Sequence, residues 1–105
     1  MKGKTENWYV LYTKPRNELK VMERFLSAGF EAYTPFKTEI RKWSDRNKKI
    51  RVPLLTSMVL VKVAESATDT VFGIPGVVRF LFNQGKRAEI YDEEVLAMKA
   101  HLEEN

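Results

Sequence analysis

The chain has 105 residues, 44% of them hydrophobic and 30% charged, with no cysteine. That length suits one hydrophobic core rather than two, and the absence of thiols excludes disulfides, thiolate catalysis and cysteine-ligated metals. The formal charge is +4, but Asp92, Glu93, Glu94, Glu103 and Glu104 all lie in the last segment against a single lysine, Lys99, so residues 1–91 carry about +8. This local excess favours a polyanionic partner over a small substrate, although mild basicity is also common in soluble proteins.

In chain order, the N-terminal MKGKTEN is polar and lacks the apolar stretch of a secretion signal. No segment approaches the roughly 20 apolar residues of a membrane span, which leads to the expectation of a cytoplasmic protein with residues 1–7 flexible. Trp8-Tyr9-Val10-Leu11-Tyr12-Thr13 is rich in aromatic and β-branched residues and reads as a buried strand. Pro15 suits the first position of a helix that runs to about Ala28, with Leu19, Met22 and Leu26 facing the core beside Val21 and Phe25. Gly29 is its natural stop. Arg16, Lys20 and Arg24 then recur at i, i+4 and i+8, so the helix should carry one basic stripe with Lys14 and Asn17 beside it.

Residues 32–40 and 49–52 read as two extended segments of a long hairpin, joined by the polar Ser44-Asp45-Arg46-Asn47. Pro35 and Pro53 confine those positions to an edge, a bulge or a strand end. Residues 54–63 form the strongest strand pattern, with Val59, Val61 and Val63 on one face and Met58, Leu60 and Lys62 on the other. Ser66-Ala67-Thr68-Asp69 fits a capping box opening a short helix through Val71 and Phe72, which Gly73 and Pro75 stop. Residues 77–82 are a further strand, turned by Asn83-Gln84-Gly85. Asp92 caps a last helix in which Val95, Met98, Lys99 and Leu102 follow helical spacing.

The order β-α-β-β-β-α-β-α predicts an α+β fold: an antiparallel-rich four-stranded sheet flanked by about three helices, with a protruding β-hairpin, as one domain over residues 8–105. An enzyme is not expected, because His101 is the only histidine and no metal-ligand spacing, P-loop or GxGxxG occurs. No cofactor is expected either.

Two surfaces stand out. Helices on one side of the sheet would leave Tyr12, Met58 and Leu60 as a second apolar face for a partner, unless the last helix covers it. The basic hairpin, with Arg41, Lys42 and Arg46 around Trp43, is suited to gripping phosphates and stacking a base. Equally, it reads as a solvated hairpin whose Trp43 packs on its own partner strand.

Three segments, residues 8–14 followed by Glu18, residues 52–55 leading into Val59-Leu60-Val61, and residues 74–81, together resemble the N-terminal (NGN) domain of NusG-type transcription elongation factors over about residues 8–102. The Arg41-Lys42-Trp43-Ser44-Asp45-Arg46 hairpin and the Lys14-Pro15-Arg16-Asn17-Glu18 start look most like the specialised paralogs that act as antiterminators on capsular polysaccharide operons in Bacteroides-type bacteria. The resemblance implies a monomeric domain that holds the clamp helices of the largest RNA polymerase subunit in an apolar depression. It also implies a reach to the gate loop of the second-largest subunit, bridging the nucleic-acid channel and reducing pausing and termination.

Carried over by position, Tyr12, Leu55, Met58 and Leu60 fall in that depression, with Met58 and Leu60 as anchors. Thr68 and Thr70 fall near the gate loop. Lys14, Asn17, Lys20 and Arg24, with Arg16 beside them, fall where specialised members meet non-template DNA; nascent RNA is the other nucleic-acid partner considered. Thr56-Ser57-Met58 replaces the family's usual Pro-Gly-Tyr or Pro-Asn-Tyr, which makes the contact more aliphatic, and no C-terminal KOW domain is seen in this chain. The alternatives are a free RRM-like module for single-stranded nucleic acid, with bases stacking on sheet aromatics, and a structural interaction domain.

Overall fold

The computed structural model describes residues 6–43 and 46–103. Its centre is strand β1 (Glu6–Thr13), which starts two residues before the apolar run and lies between two neighbours. Strand β5 (Met58–Ala64) pairs with it antiparallel from Glu6↔Ala64 to Tyr12↔Met58. On its other side β6 (Val77–Phe80) pairs through Leu11↔Phe80 and Tyr12↔Arg79, with a register shift at Thr13. Farther along the same side, β9 (Glu89–Ile90) adds Trp8↔Ile90. The short β2 (Glu31–Tyr33) forms the other edge, on β5. The sheet is antiparallel throughout.

Both sheet faces are covered. On one, Tyr9, Leu11, Val59, Val61 and Val63 pack under Val21, Met22 and Phe25 of helix α1 (Glu18–Ser27), with Val71 and Phe80 closing the cluster. On the other, Trp8, Val10, Tyr33 and Leu60 pack under Val95 of helix α2 (Asp92–Glu103), with Met98 beside it. Burial from both sides explains why β1 reads as a continuous apolar run instead of an alternation. Lys99, at the helical spacing of Val95 and Met98 in α2, sets its ammonium 5.9 Å from the Trp8 ring and 5.3 Å from the Tyr33 ring. Its aliphatic stem covers the aromatic cluster while the charge faces π-density.

The expected long hairpin divides. Strand β2 stays in the main sheet, and after Thr34 and Pro35 the chain leaves it, because proline has no N–H with which to continue the ladder. Strands β3 (Phe36–Trp43) and β4 (Arg46–Pro53) then pair only with each other, from Phe36↔Pro53 to Trp43↔Arg46. This ribbon is part of a molecule measuring 58 × 29 × 28 Å.

Other boundaries move for local reasons. Strand β5 begins at Met58 and not at Leu54, since Ser57 adopts left-handed backbone geometry (φ 58) and turns the chain. Glu65–Gly73 is a 3₁₀ helix without the expected capping box: no side chain caps it, and Ala67 has non-helical angles. Asp69 is one methylene shorter than the glutamate that usually closes that motif. A small hairpin, β7 (Phe82–Asn83) with β8 (Lys86–Arg87), turns through Gln84 (φ 54) and Gly85 (φ 80), the paired left-handed residues a two-residue turn requires.

Helix α2 starts at Asp92, but Asp92 does not cap it. The Tyr91 carbonyl accepts from the Glu94 and Val95 N–H groups, while the Glu94 carboxylate accepts the Tyr91 N–H at 2.9 Å. No helix of the described residues is long and apolar enough to cross a membrane.

Candidate functional site

At the end of the sheet where β1 finishes, Met58, Tyr12 and Arg79 lie side by side on β5, β1 and β6. Directly paired residues share a face, so these three form a row on the α2 side of the sheet. The Arg79 guanidinium stands over the Tyr12 ring, 4.5 Å from its centroid. Tyr12 and Met58 are half-buried and Arg79 is exposed. Below the row, the turn of residues 54–57 carries Leu54, 42% exposed, and the half-buried Leu55.

That turn is held by four bonds, the first at its start, where Leu54 donates its backbone N–H to the Pro35 carbonyl at 2.8 Å. Thr13 donates its backbone N–H to the Ser57 carbonyl at 2.8 Å, Ser57 donates its own N–H to the Glu18 carboxylate at 2.6 Å, and the Thr34 hydroxyl donates to the Met58 carbonyl at 2.9 Å. Glu18 is only 5% exposed. A buried carboxylate at the first turn of α1, accepting a charge-assisted bond, thus fastens that helix to the turn bearing Leu55.

Leu60, expected in the same apolar surface, is not on it. It is fully buried one rung inward, beside Val10 and Tyr33 under α2. The expectation of an open second face fails because the last helix closes it. The remaining apolar surface is smaller: Tyr12, Met58, Leu54 and Leu55. Covering also removes any stacking platform, since Trp8, Tyr9 and Phe80 are all at least 96% buried.

The basic stripe is divided as well. Helix α1 begins at Glu18 with Asn17 as its N-cap residue, so Pro15 is not at its first position and Arg16 is not helical. The Asn17 N–H bonds the Lys14 carbonyl at 3.1 Å, closing a turn in which Arg16 is left-handed (φ 65). Lys14, Arg16 and Lys20 are exposed and Asn17 is half-buried. Arg24 is committed elsewhere, its guanidinium donating to the Pro75 carbonyl at 2.8 Å. Arg16 instead lines a 480 Å³ cleft with Pro15, Leu19, Arg51 and Pro53 at the base of the ribbon.

Thr68 and Thr70 sit toward the opposite end of the sheet. The 3₁₀ helix follows Ala64, six residues beyond Met58, about 20 Å along a strand, and Thr70 shares a 320 Å³ cleft with Glu6. Thr68 is buried, with its hydroxyl bonded to the Glu65 carbonyl at 3.2 Å. Thr70 is exposed, although its hydroxyl also bonds backward, to Ala67 at 2.6 Å. On the ribbon, Arg41, Lys42 and Arg46 are exposed. The side chain of Trp43, with Ser44 and Asp45, lies outside the described residues.

Arg79 was missed from sequence. Its signal was a lone cation in Val77-Val78-Arg79-Phe80-Leu81, one position out of phase with the inward Phe80. Among the described residues no group of histidine and acidic side chains has a metal-binding arrangement.

Residues 6–99 match the family described as "Transcription termination factor nusG". NusG of Thermotoga maritima, from a structure concerned with its domain interaction, superposes with a TM-score of 0.54 at 21% identity; the match covers 90% of this chain and 56% of that one. The chain therefore spans a little over half the length of that protein, and the likeness concerns the fold. No curated protein matches the sequence. The family match, spanning nearly all of a mixed α+β domain with an antiparallel sheet and three helices, places this chain in the NusG family of transcription factors.

Proposed function

We propose that this domain is a non-catalytic transcription elongation factor that binds RNA polymerase at the end of its sheet and contacts nucleic acid from the adjoining turn. The supporting observation is the row of Met58, Tyr12 and Arg79 with Leu54 and Leu55 below it. Aromatic and arginine side chains beside adaptable methionine are the usual anchors of protein interfaces. In this reading the row receives the clamp helices of the largest subunit, burying on the order of 800 Å² per partner. Exposed Thr70, about 20 Å away along the sheet, is the contact suited to the gate loop.

The nucleic-acid contacts are Lys14, Arg16 and Lys20, with Asn17 beside them, facing non-template DNA. Arg24 serves mainly to fix α1 against Pro75. Bridging of this kind would limit clamp opening and reduce pausing and termination. The likeness of the Lys14–Glu18 start and the ribbon to specialised paralogs supports antitermination at particular operons, those for capsular polysaccharides being the class indicated.

In vitro transcription with purified polymerase tests this directly. Adding the domain should shorten pauses and raise terminator readthrough, and Met58→Asp should abolish both effects and polymerase co-purification. Unchanged pausing and readthrough on adding the wild-type domain would refute the proposal.

A further inference from the structure

Between Asp69 and Glu89 the chain carries no acid but three cations, Arg79, Lys86 and Arg87. The same stretch exposes two aromatic rings, Phe72 at 52% and Phe82 at 54%. Single apolar side chains are ordinary on a protein surface, but these two are joined. The buried ring of Phe80 meets Phe72 edge-on, with centroids 5.7 Å apart. The Arg87 guanidinium then lies 5.0 Å from the Phe80 centroid and 6.0 Å from that of Phe82.

Arg87 directly opposes Phe82 across the β7–β8 hairpin, so the two share a face. Phe82 follows Phe80 by two residues, and Phe80 packs in the cluster under α1, which puts this group on the α1 side of the sheet. The row of Met58, Tyr12 and Arg79 is on the other side. Val78, also exposed, is the residue of β6 left without a partner at the register shift.

Arg87 forms no ion pair among the described residues, and its buried Nε has no acceptor there. Lys86, exposed at the hairpin, has no ion pair among them either. Two rings thus hold the Arg87 cation in place without neutralising it, and pairing it with a carboxylate costs little further ordering.

We infer that the face of Phe72 and Phe82 takes a short acidic, amphipathic segment of a partner protein. Apolar side chains of that segment seat against the two rings, one carboxylate pairs with Arg87 and another with Lys86 at the rim. Aromatic and arginine side chains are the common anchors of such contacts. A nucleic-acid strand brings a charge with every nucleotide, whereas this face offers two open rings to one cation. A second copy of the same face would set Arg87 against Arg87, and like charge disfavours it. The contact is separate from the polymerase and nucleic-acid contacts proposed above and does not depend on them.

The test is calorimetric titration and amide NMR of the full chain with a synthetic peptide of alternating aspartate and leucine. The same peptide with asparagine for aspartate, and oligo-dT and oligo-U strands, are the comparisons. The aspartate peptide should bind with its largest amide shifts at Phe72, Phe82 and Arg87, and the asparagine peptide at least about tenfold more weakly, the worth of one charge-assisted hydrogen bond. Phe82→Ser, Arg87→Gln and Lys86→Glu should each weaken the aspartate peptide about tenfold. Lys86→Glu changes only an exposed side chain, so its thermal midpoint should match wild type and exclude unfolding as the cause. Its polymerase co-purification should equal that of wild type, which separates this face from the Met58 row. No peptide binding at about 1 mM, equal binding of the asparagine peptide, tighter binding of either single strand at the same residues, or a dimer that Phe82→Ser abolishes would overturn the inference.

Discussion

The guanidinium of Arg79 lies 4.5 Å from the centroid of the Tyr12 ring, the two residues facing each other across β6 and β1. An arginine so placed holds the ring in one orientation; one of its nitrogens donates to the Phe80 carbonyl at 3.4 Å, and the other donors are left for a partner. Replacing Arg79 by Ala should cost about 0.5–1 kcal/mol in urea unfolding, the worth of an exposed cation–π contact. It should weaken polymerase co-purification by more than that stability loss explains. Arg79→Lys should restore the stability more fully than the binding, because lysine lacks the planar fork.

Leu60 and Met58 are separated by one residue and differ in role. Leu60→Ala should destabilise by about 2–5 kcal/mol, because a fully buried leucine leaves a cavity between Val10, Tyr33 and Val95. Met58→Ala, at the half-buried rim, should cost less and act on partner binding. Denaturant midpoints beside pull-down yields distinguish the two, and equal stability losses would contradict this division.

Gly76 adopts φ 98, and an added Cβ there would lie 2.7 Å from Cγ2 of Val21, a buried side chain that has no room to move. Its carbonyl accepts the Lys14 N–H at 2.9 Å. Gly76→Ala should therefore destabilise by about 1–3 kcal/mol through backbone strain and overlap. Arg16→Gly, at another left-handed position (φ 65), should instead stabilise slightly, by up to about 1 kcal/mol, while weakening nucleic-acid binding. Thermal melts of the two variants should shift in opposite directions.

Removing the Glu18 carboxylate would strand the Ser57 N–H it accepts at 2.6 Å. Glu18→Ala should cost about 1–3 kcal/mol, and amide exchange at Ser57 should accelerate. Unaltered exchange there would argue against Glu18 as the brace of the Leu55 turn.

Asp92 sits where α2 meets the sheet, accepting from the Lys62 ammonium at 3.1 Å and from the Trp8 indole N–H at 2.7 Å. The Lys62 bond first, then that of Trp8, holds the Asp92 carboxyl below its ordinary value, while Asp92 raises the Lys62 ammonium above its own. A depressed carboxylate stabilises the fold above its unfolded-state value, and this contribution is lost as pH falls through the folded one. The lysine contribution is complete below the ordinary lysine range and is lost only as pH rises past the raised value. Stability should thus be level through neutrality and decline in acid. In melts from neutral pH down to about pH 2, the gap between wild type and Asp92→Asn should close; a constant gap would refute the linkage.

Strand β1, helix α1 with its Gly29 stop, and the ribbon were legible in the residues themselves, because apolar periodicity, turn chemistry and charge act over a few neighbours. The likeness of residues 8–14, 52–55 and 74–81 to one family was legible for the same reason. The partners of Leu60, Arg24 and Arg79 were not. Each depends on an element distant in the chain: α2 laid over the sheet, the Pro75 carbonyl beside α1, and β6 brought against Tyr12. Local sequence determined which segments are strands and helices and where the positive charge lies. Only the tertiary structure decided which apolar residues stay exposed at the sheet's end, because burial is a property of what packs on a residue and not of the residue alone.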